Sequence, residues 1–226
     1  MVRRAIELFQ GVVAPYRELL RPPGHRTVVV AGWIGRFPKS ALGLALILMV
    51  AMTSGSYALA GAVSAVFVLS LALAGPQWSR AMDRYGQPRV LVIASASLAL
   101  WSGALLTAIL VDAPVWIWFV GAALSGASIV DMGSVVRARW SSQLPQDRRM
   151  SAFALESVND ELVFVVSPPL VTVLAAFVHP ALGFGVGLAL GLGGSLVLAA
   201  QTGAPRRSAL RSRGRRERGI PPRVLG

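Results

Sequence analysis

An acidic stripe runs along one otherwise apolar stretch in the last third of the sequence. Successive residues of a helix are about 100° apart, so Glu156, Asn159, Asp160, Val163 and Ser167 fall on one helix face. A charge at the centre of a bilayer costs at least about 2.5 kcal/mol, and such charges therefore face protein or water. The pattern predicts that this stripe is the inner face of its helix, while Glu161 points elsewhere.

Two interpretations of this stripe stay open. In the first, Asp160, together with Glu156, carries a proton or a cation in a cavity on the cytoplasmic side. In the second, the acids belong to ion pairs, because the helix is longer than the hydrocarbon requires and Glu156 can lie at headgroup depth. The candidate basic partners are then Arg137, Arg139, Arg148 and Arg149.

Three other charged residues interrupt apolar segments. Asp131 lies a few residues inside the same membrane boundary and has the same two interpretations, so that it joins an acidic cluster with Glu156 and Asp160. Arg36 and Lys39 are expected to extend toward the headgroups, as long cationic side chains commonly do. In the alternative, Arg36 enters a cavity and meets an anionic substrate.

The sequence contains few residues in patterns typical of a catalytic or metal-binding site. The sequence has no cysteine, and its two histidines, His25 and His179, are predicted in a cytoplasmic segment and an external turn, away from any intramembrane serine. His-rich or Asp-rich metal spacings are also missing from the sequence. We therefore expect no enzymatic activity, no catalytic or metal-binding residues and no cofactor.

These residues are carried by a chain whose composition is that of a membrane protein. It is 54% hydrophobic and only 14% charged, and nothing ionises between Ser40 and Ser79, between Val90 and Val111 or between Pro180 and Thr202. One membrane span needs roughly 20 apolar residues. The runs predict six spans, with a cytoplasmic segment at 1–26 that could form an interfacial helix, a six-helix bundle at 27–202 and a disordered Arg-rich cytoplasmic tail at 203–226.

The positive charges give the orientation. All 22 Lys and Arg residues fall in four clusters: up to Lys39, from Arg80 to Arg89, from Arg137 to Arg149 and from Arg206 onward. The remaining connectors carry none, which is the positive-inside pattern. The pattern predicts a multi-pass protein of the cell (inner) membrane with both termini in the cytoplasm. The net charge of +12 therefore indicates anionic lipid, not nucleic acid, as a partner.

Glycines recur every four residues in the sixth span. Gly183, Gly187 and Gly191 share one helix face, which allows the backbone of a neighbouring helix to approach closely. We interpret this face as a packing surface.

The connector between the second and third spans carries a recognisable motif. It reads Ser79-Arg80-Ala81-Met82-Asp83-Arg84-Tyr85-Gly86-Gln87-Pro88-Arg89, which resembles the loop signature of the major facilitator superfamily, Gly-x-x-x-Asp-Arg-x-Gly-x-Arg-Arg. Asp83, Arg84, Gly86 and Arg89 match, whereas Ser79 and Pro88 depart from it. Weaker similarities cover 121–128 and Ser167-Pro168-Pro169. The resemblance implies that this loop latches helix ends and biases the inward and outward states.

The resemblance implies an all-α, polytopic fold of six transmembrane helices arranged as two inverted three-helix repeats, half of a major-facilitator fold. In the family, substrate lies between two such halves. The family's fourth-helix arginine falls at Ala122, so a coupling role through that arginine does not carry over.

The expected function is transmembrane transport of a small solute by alternating access, as a half-length or truncated secondary transporter. Such a half could be a truncated product, could pair with a separately encoded six-helix half, or could form a homodimer. The alternative is a non-transporting membrane adaptor or scaffold that binds anionic lipid or a partner protein. The substrate, the coupling ion and the direction stay open.

Overall fold

The computed structural model describes residues 14–201, and this part of the chain contains helices and no strand. Residues 14–19 are helical. The longer helices that follow are α1 (His25–Ile34), α2 (Phe37–Ser54), α3 (Tyr57–Tyr85), α4 (Gln87–Leu110), α5 (Val115–Ala127), α6 (Met132–Gln143), α7 (Gln146–Phe177) and α8 (Pro180–Ala200). The expected Arg-rich tail and residues 1–13 of the expected N-terminal segment lie outside the described residues.

Six stretches of the described chain are long and apolar enough to cross a membrane. Helices α1 and α2 together form span 1 (His25–Ser54), and α5 and α6 together form span 4 (Val115–Gln143). Helices α3, α4, α7 and α8 form spans 2, 3, 5 and 6. The prediction of an all-α protein with six spans is confirmed.

The connector between spans 2 and 3 is much shorter than predicted. Helix α3 continues through Ser79 to Tyr85 and α4 begins at Gln87, so Gly86 alone separates them. Gly86 has a φ of 87°, which favours glycine. Pro88 lies in the first turn of α4, where its missing N–H has no partner to lose. The motif residues therefore lie on two helix ends instead of a flexible loop.

Spans 1 and 4 are each interrupted near their middle. In span 1, α1 ends before Gly35, and Pro38 cannot donate a helical hydrogen bond across the junction. In span 4, the helix stops at Ala127 and restarts at Met132, with Ser128 donating to the carbonyl of Leu124 (2.7 Å). The two interruptions lie side by side, because an added Cβ on Gly35 would meet the Met132 side chain at 3.0 Å.

The packing of the six spans has an internal twofold pattern. Span 1 packs against spans 2, 4, 5 and 6, and span 4 packs against spans 5, 1, 2 and 3. Spans 3 and 6 contact each other. Exchanging span 1 with 4, 2 with 5 and 3 with 6 reproduces these contacts, as expected for two inverted three-helix repeats.

The glycine face of span 6 packs against spans 1 and 5. An added Cβ on Gly183 would lie 3.0 Å from the carbonyl oxygen of Val171, and one on Gly187 would lie 3.2 Å from Leu42. Gly191 lies directly against Pro38, beside the interruption of span 1. These close approaches leave no room for side chains and fix span 6 against its neighbours.

Candidate functional site

A buried ion pair joins span 1 to span 5. Glu156 is fully buried and Arg36 is 4% exposed. Arg36 Nη2 donates to Glu156 Oε2, and the indole Nε1 of Trp140 donates to Glu156 Oε1 at 3.0 Å. Both carboxylate oxygens therefore have a donor, which a buried charge requires.

Asp160 extends this cluster one helical turn along α7. Its Oδ1 accepts from Arg36 Nε at 2.6 Å, and its Oδ2 accepts from Arg137 Nη2. The side chain of Asp160 is 32% exposed and that of Arg137 is 36% exposed. We call Arg36, Arg137, Trp140, Glu156 and Asp160 the buried network. It ties spans 1, 4 and 5 together with two cations and two anions.

The predicted position of Arg36 and the predicted partners of Glu156 are corrected by this geometry. Arg36 does not extend to the headgroups, because its position at the interruption of span 1 brings it to a carboxylate inside the bundle. Among the four arginines proposed as partners, Arg137 contacts an acid within the described chain, and that acid is Asp160. Arg139 donates to the carbonyl of Leu198 (3.1 Å) and Arg149 to that of Leu144 (2.9 Å).

Gly133 makes space for the buried network, a role the sequence analysis missed. A Cβ on this residue would lie 3.1 Å from Arg137 Nη1 and 3.1 Å from Asp160 Oδ1. Gly133 follows the first residue of α6, directly after the interruption of span 4. A glycine two residues after Asp131, within a membrane span, is the sequence signal that could have indicated this role.

A second, more exposed ion pair lies near the middle of spans 1 and 4. Lys39 Nζ contacts Asp131 Oδ1 at 2.8 Å, and the two side chains are 42% and 43% exposed. Lys39 was predicted to extend to the headgroups, but it pairs instead with Asp131 near the middle of span 4. Exposed Ser134 lies one turn further along α6, with its hydroxyl bonded to the carbonyl of Asp131 (2.7 Å).

Polar side chains continue from this pair toward the Gln143 end of span 4. Asp131 immediately precedes α6, and Ser134 and Arg137 lie three residues apart on one face of α6, with Ser134 bonded to the carbonyl of Asp131. Asp160 of α7 contacts the last of them. We call Lys39, Asp131, Ser134, Arg137 and Asp160 the polar strip. Its exposed charges balance, with two cations and two anions.

The remaining acidic-stripe residues have no described partner. Asn159 and Ser167 are buried with Val163 on the same face of α7, whereas Glu161 is exposed. Within residues 14–201, Asn159 Nδ2 and Ser167 Oγ form no hydrogen bond.

The motif at the junction of spans 2 and 3 is held by residues that flank its charges. Asp83, Arg84 and Arg89 are exposed and form no salt bridge with the described part of the chain, while the Arg84 guanidinium lies 5.2 Å from the ring of Tyr85. Trp78 Nε1 donates to the carbonyl of Ala127 (2.7 Å), and Gln87 Nε2 to that of Val135 (3.3 Å). Trp78 and Gln87, which the sequence analysis missed, thus attach this junction to span 4.

The histidines take part in local structure. His25 Nδ1 lies 2.7 Å from the carbonyl of Leu19, and His179 accepts from the backbone N–H of Ala181 at the start of α8. Residues 14–201 contain no group of three or more His, Asp or Glu side chains that could hold a metal ion.

Comparison with known families agrees with this architecture. The sequence profile described as Major Facilitator Superfamily matches residues 28–225, which is most of the chain and includes spans 2 to 6 and all but the first three residues of span 1. A search of curated proteins found no match. Family members are transporters rather than enzymes. With its six membrane-length helices, this multi-pass membrane protein belongs to the major facilitator superfamily.

Proposed function

We propose that this chain is the solute-translocating domain of a secondary transporter, moving a small solute by alternating access. The observation that carries the proposal is the exposed Lys39–Asp131 pair near the middle of spans 1 and 4, which corresponds to the middle of a bilayer that these spans cross. Charges at this depth are costly in lipid and favour a water-filled or protein-covered space. The polar strip would then be one wall of the translocation cavity.

The buried network has a different part in this proposal. It joins spans 1, 4 and 5 on the side of the bundle where the polar strip ends, and Glu156 has no exposed surface. Asp160 is the network acid that a proton or a cation can reach from the polar strip. Occupation of Asp160 would weaken its attraction for Arg137 and thereby loosen span 4 from span 5.

The proposed orientation has both termini in the cytoplasm of a cell (inner) membrane, with the Gln143 end of span 4 also cytoplasmic. The clustering of Lys and Arg supports it. The space beside the polar strip would be closed by a second six-helix unit, either a separately encoded half or a second copy of the chain. Such a unit would shield the mid-depth charges from lipid.

The experiment uses the absence of cysteine from the sequence, because one introduced thiol is then the sole labelling site. Ser134→Cys places the thiol on the polar strip, and Leu100→Cys places it on an exposed apolar position of span 3. We expect a membrane-impermeant maleimide to label the Ser134→Cys protein in both right-side-out and inverted vesicles. The Leu100→Cys protein should stay unlabelled in both.

Two results would count against the proposal. Labelling of the Ser134→Cys protein from neither side would mean that no aqueous cavity reaches mid-depth, which favours the membrane adaptor. Labelling of a Tyr85→Cys protein in right-side-out vesicles alone would reverse the orientation, because Tyr85 lies beside Arg84 at the junction predicted to be cytoplasmic.

A further inference from the structure

Lys39 and Asp131 form fewer hydrogen bonds within the described chain than their charged groups can form. The ammonium group has three donors and the carboxylate about four acceptor positions, and the described chain gives each group one bond to the other. Both side chains are more than two-fifths exposed on the same side of the bundle. The pair therefore offers donors and acceptors side by side to a molecule in the proposed cavity.

The charge balance limits which molecule fits. Along the polar strip, Lys39 and Arg137 are matched by Asp131 and Asp160, so the wall has no net charge. A singly charged solute would be attracted by one member of the pair and repelled by the other, and it would add a net charge beside this balanced wall. A solute with one positive and one negative group can contact both members of the pair and add no net charge.

From this geometry we propose that the solute is a small zwitterion of the amino-acid or betaine type, with its carboxylate at Lys39 and its cationic group at Asp131. This inference rests on the proposed transport function. The short distance between Lys39 Nζ and Asp131 Oδ1, 2.8 Å, favours solutes whose two charges are close together. The remainder of the solute would extend along Ser134 toward Arg137.

The test measures how solutes protect the Ser134→Cys protein from maleimide in lipid nanodiscs. The zwitterions are glycine, glycine betaine, leucine and phenylalanine. For leucine, the matched compounds are isocaproate as the anion, isoamylamine as the cation and isocaproamide as the neutral analogue. We expect at least one zwitterion to slow labelling, and its single-charge analogues to need about 10-fold higher concentration, because each loses a hydrogen bond to a charged group.

Two substitutions make the charge argument independent of the exact solute. Asp131→Asn leaves Lys39 as the unmatched charge of the pair and should shift the preference about 10-fold toward isocaproate. Lys39→Gln leaves Asp131 and should shift it about 10-fold toward isoamylamine. A matched control is Glu161→Gln, which removes an exposed charge on α7 outside the polar strip and should leave the preference unchanged.

Failure of this inference is separate from failure of the transport proposal. If the thiol is labelled from both sides of the membrane but no zwitterion protects it, the cavity exists and the assignment of the solute is wrong. The assignment is also wrong if single-charge or neutral analogues protect as well as the zwitterions. If the thiol is labelled from neither side, the transport proposal itself fails.

Discussion

Two groups of charges lie a few residues apart in this protein, and burial separates their roles. In the buried network, Glu156 has no exposed surface and receives donors from Arg36 and Trp140. In the Lys39–Asp131 pair, both side chains are about two-fifths exposed and have a single ion-pair contact. Residue types alone do not distinguish them, because each contains a cation from span 1 and an acid from a later span.

The difference indicates which group stabilises the fold and which can bind a solute. Removing one partner of a buried ion pair leaves the other charge uncompensated and costs about 3–5 kcal/mol, whereas an exposed pair contributes about 0–1 kcal/mol. The protein can therefore open the exposed pair to a ligand with little loss of stability. Opening the fully buried pair of Arg36 and Glu156 would endanger the bundle itself.

The largest effect is expected from Glu156→Gln. It removes one of the two carboxylates that pair with the buried Arg36 and should lower the free energy of unfolding by up to about 3–5 kcal/mol. Thermal unfolding in nanodiscs, compared with Glu161→Gln on the exposed face of α7, measures the effect.

Replacing Arg36 and Glu156 together by Met should lower the free energy of unfolding less than Glu156→Gln alone, because both members of the buried pair are then removed. If Glu156→Gln and Glu161→Gln lower the free energy of unfolding equally, burial of Glu156 does not make it more important for stability than an exposed acid.

Gly133→Val should have the next largest effect. The added side chain would push Arg137 and Asp160 apart, and overpacking of this kind costs about 1–3 kcal/mol. Gly193→Val is the control, since the substitution is the same and nothing lies within 4 Å of a Cβ at that position. Stability is again read from thermal unfolding, and the prediction fails if the control is destabilised as strongly as Gly133→Val.

Trp78→Phe tests the attachment of the motif junction to span 4. The substitution removes the hydrogen bond from the indole to the carbonyl of Ala127 and should cost about 1 kcal/mol. Arg84→Gln, which removes an exposed charge of the motif, should leave the unfolding temperature nearly unchanged. A greater loss for Arg84→Gln than for Trp78→Phe would mean that the motif's charge, not its flanking residues, stabilises this junction.

The smallest effect on stability is expected from Lys39→Gln. Loss of an exposed ion pair should change the free energy of unfolding by about 0–1 kcal/mol. The same substitution should nevertheless change which solutes protect the Ser134→Cys thiol, shifting protection toward cationic solutes. If Lys39→Gln destabilises the protein as much as Glu156→Gln does, the exposed pair is a structural element like the buried one.

The sequence predicted the six spans well, because long uncharged runs and their flanking arginines follow directly from the cost of charge in lipid. The glycine spacing of the sixth span also predicted a face that the structure packs against Leu42 and Pro38. Both features depend on local composition.

The charge partners could not be predicted in the same way. Glu156 has several arginines nearby in sequence, but it binds Arg36 of span 1, because that arginine lies at an interruption facing the same interior. The spacing of polar residues predicts which face of a helix is turned inward. It does not predict which residues of the neighbouring helices are turned toward that face. The position of Lys39 depends in the same way on where span 4 is interrupted and presents Asp131.

The ion pair between Arg36 and Glu156 has a consequence for biogenesis. The two residues are separated by 120 positions, so span 1 emerges from the ribosome long before span 5. At ordinary rates of synthesis this delay is on the order of ten seconds. During that time Arg36 has no buried carboxylate to receive it, and its cost within the hydrocarbon remains. We therefore expect span 1 to insert at a cost that is recovered only when span 5 has been synthesised and Glu156 can reach Arg36.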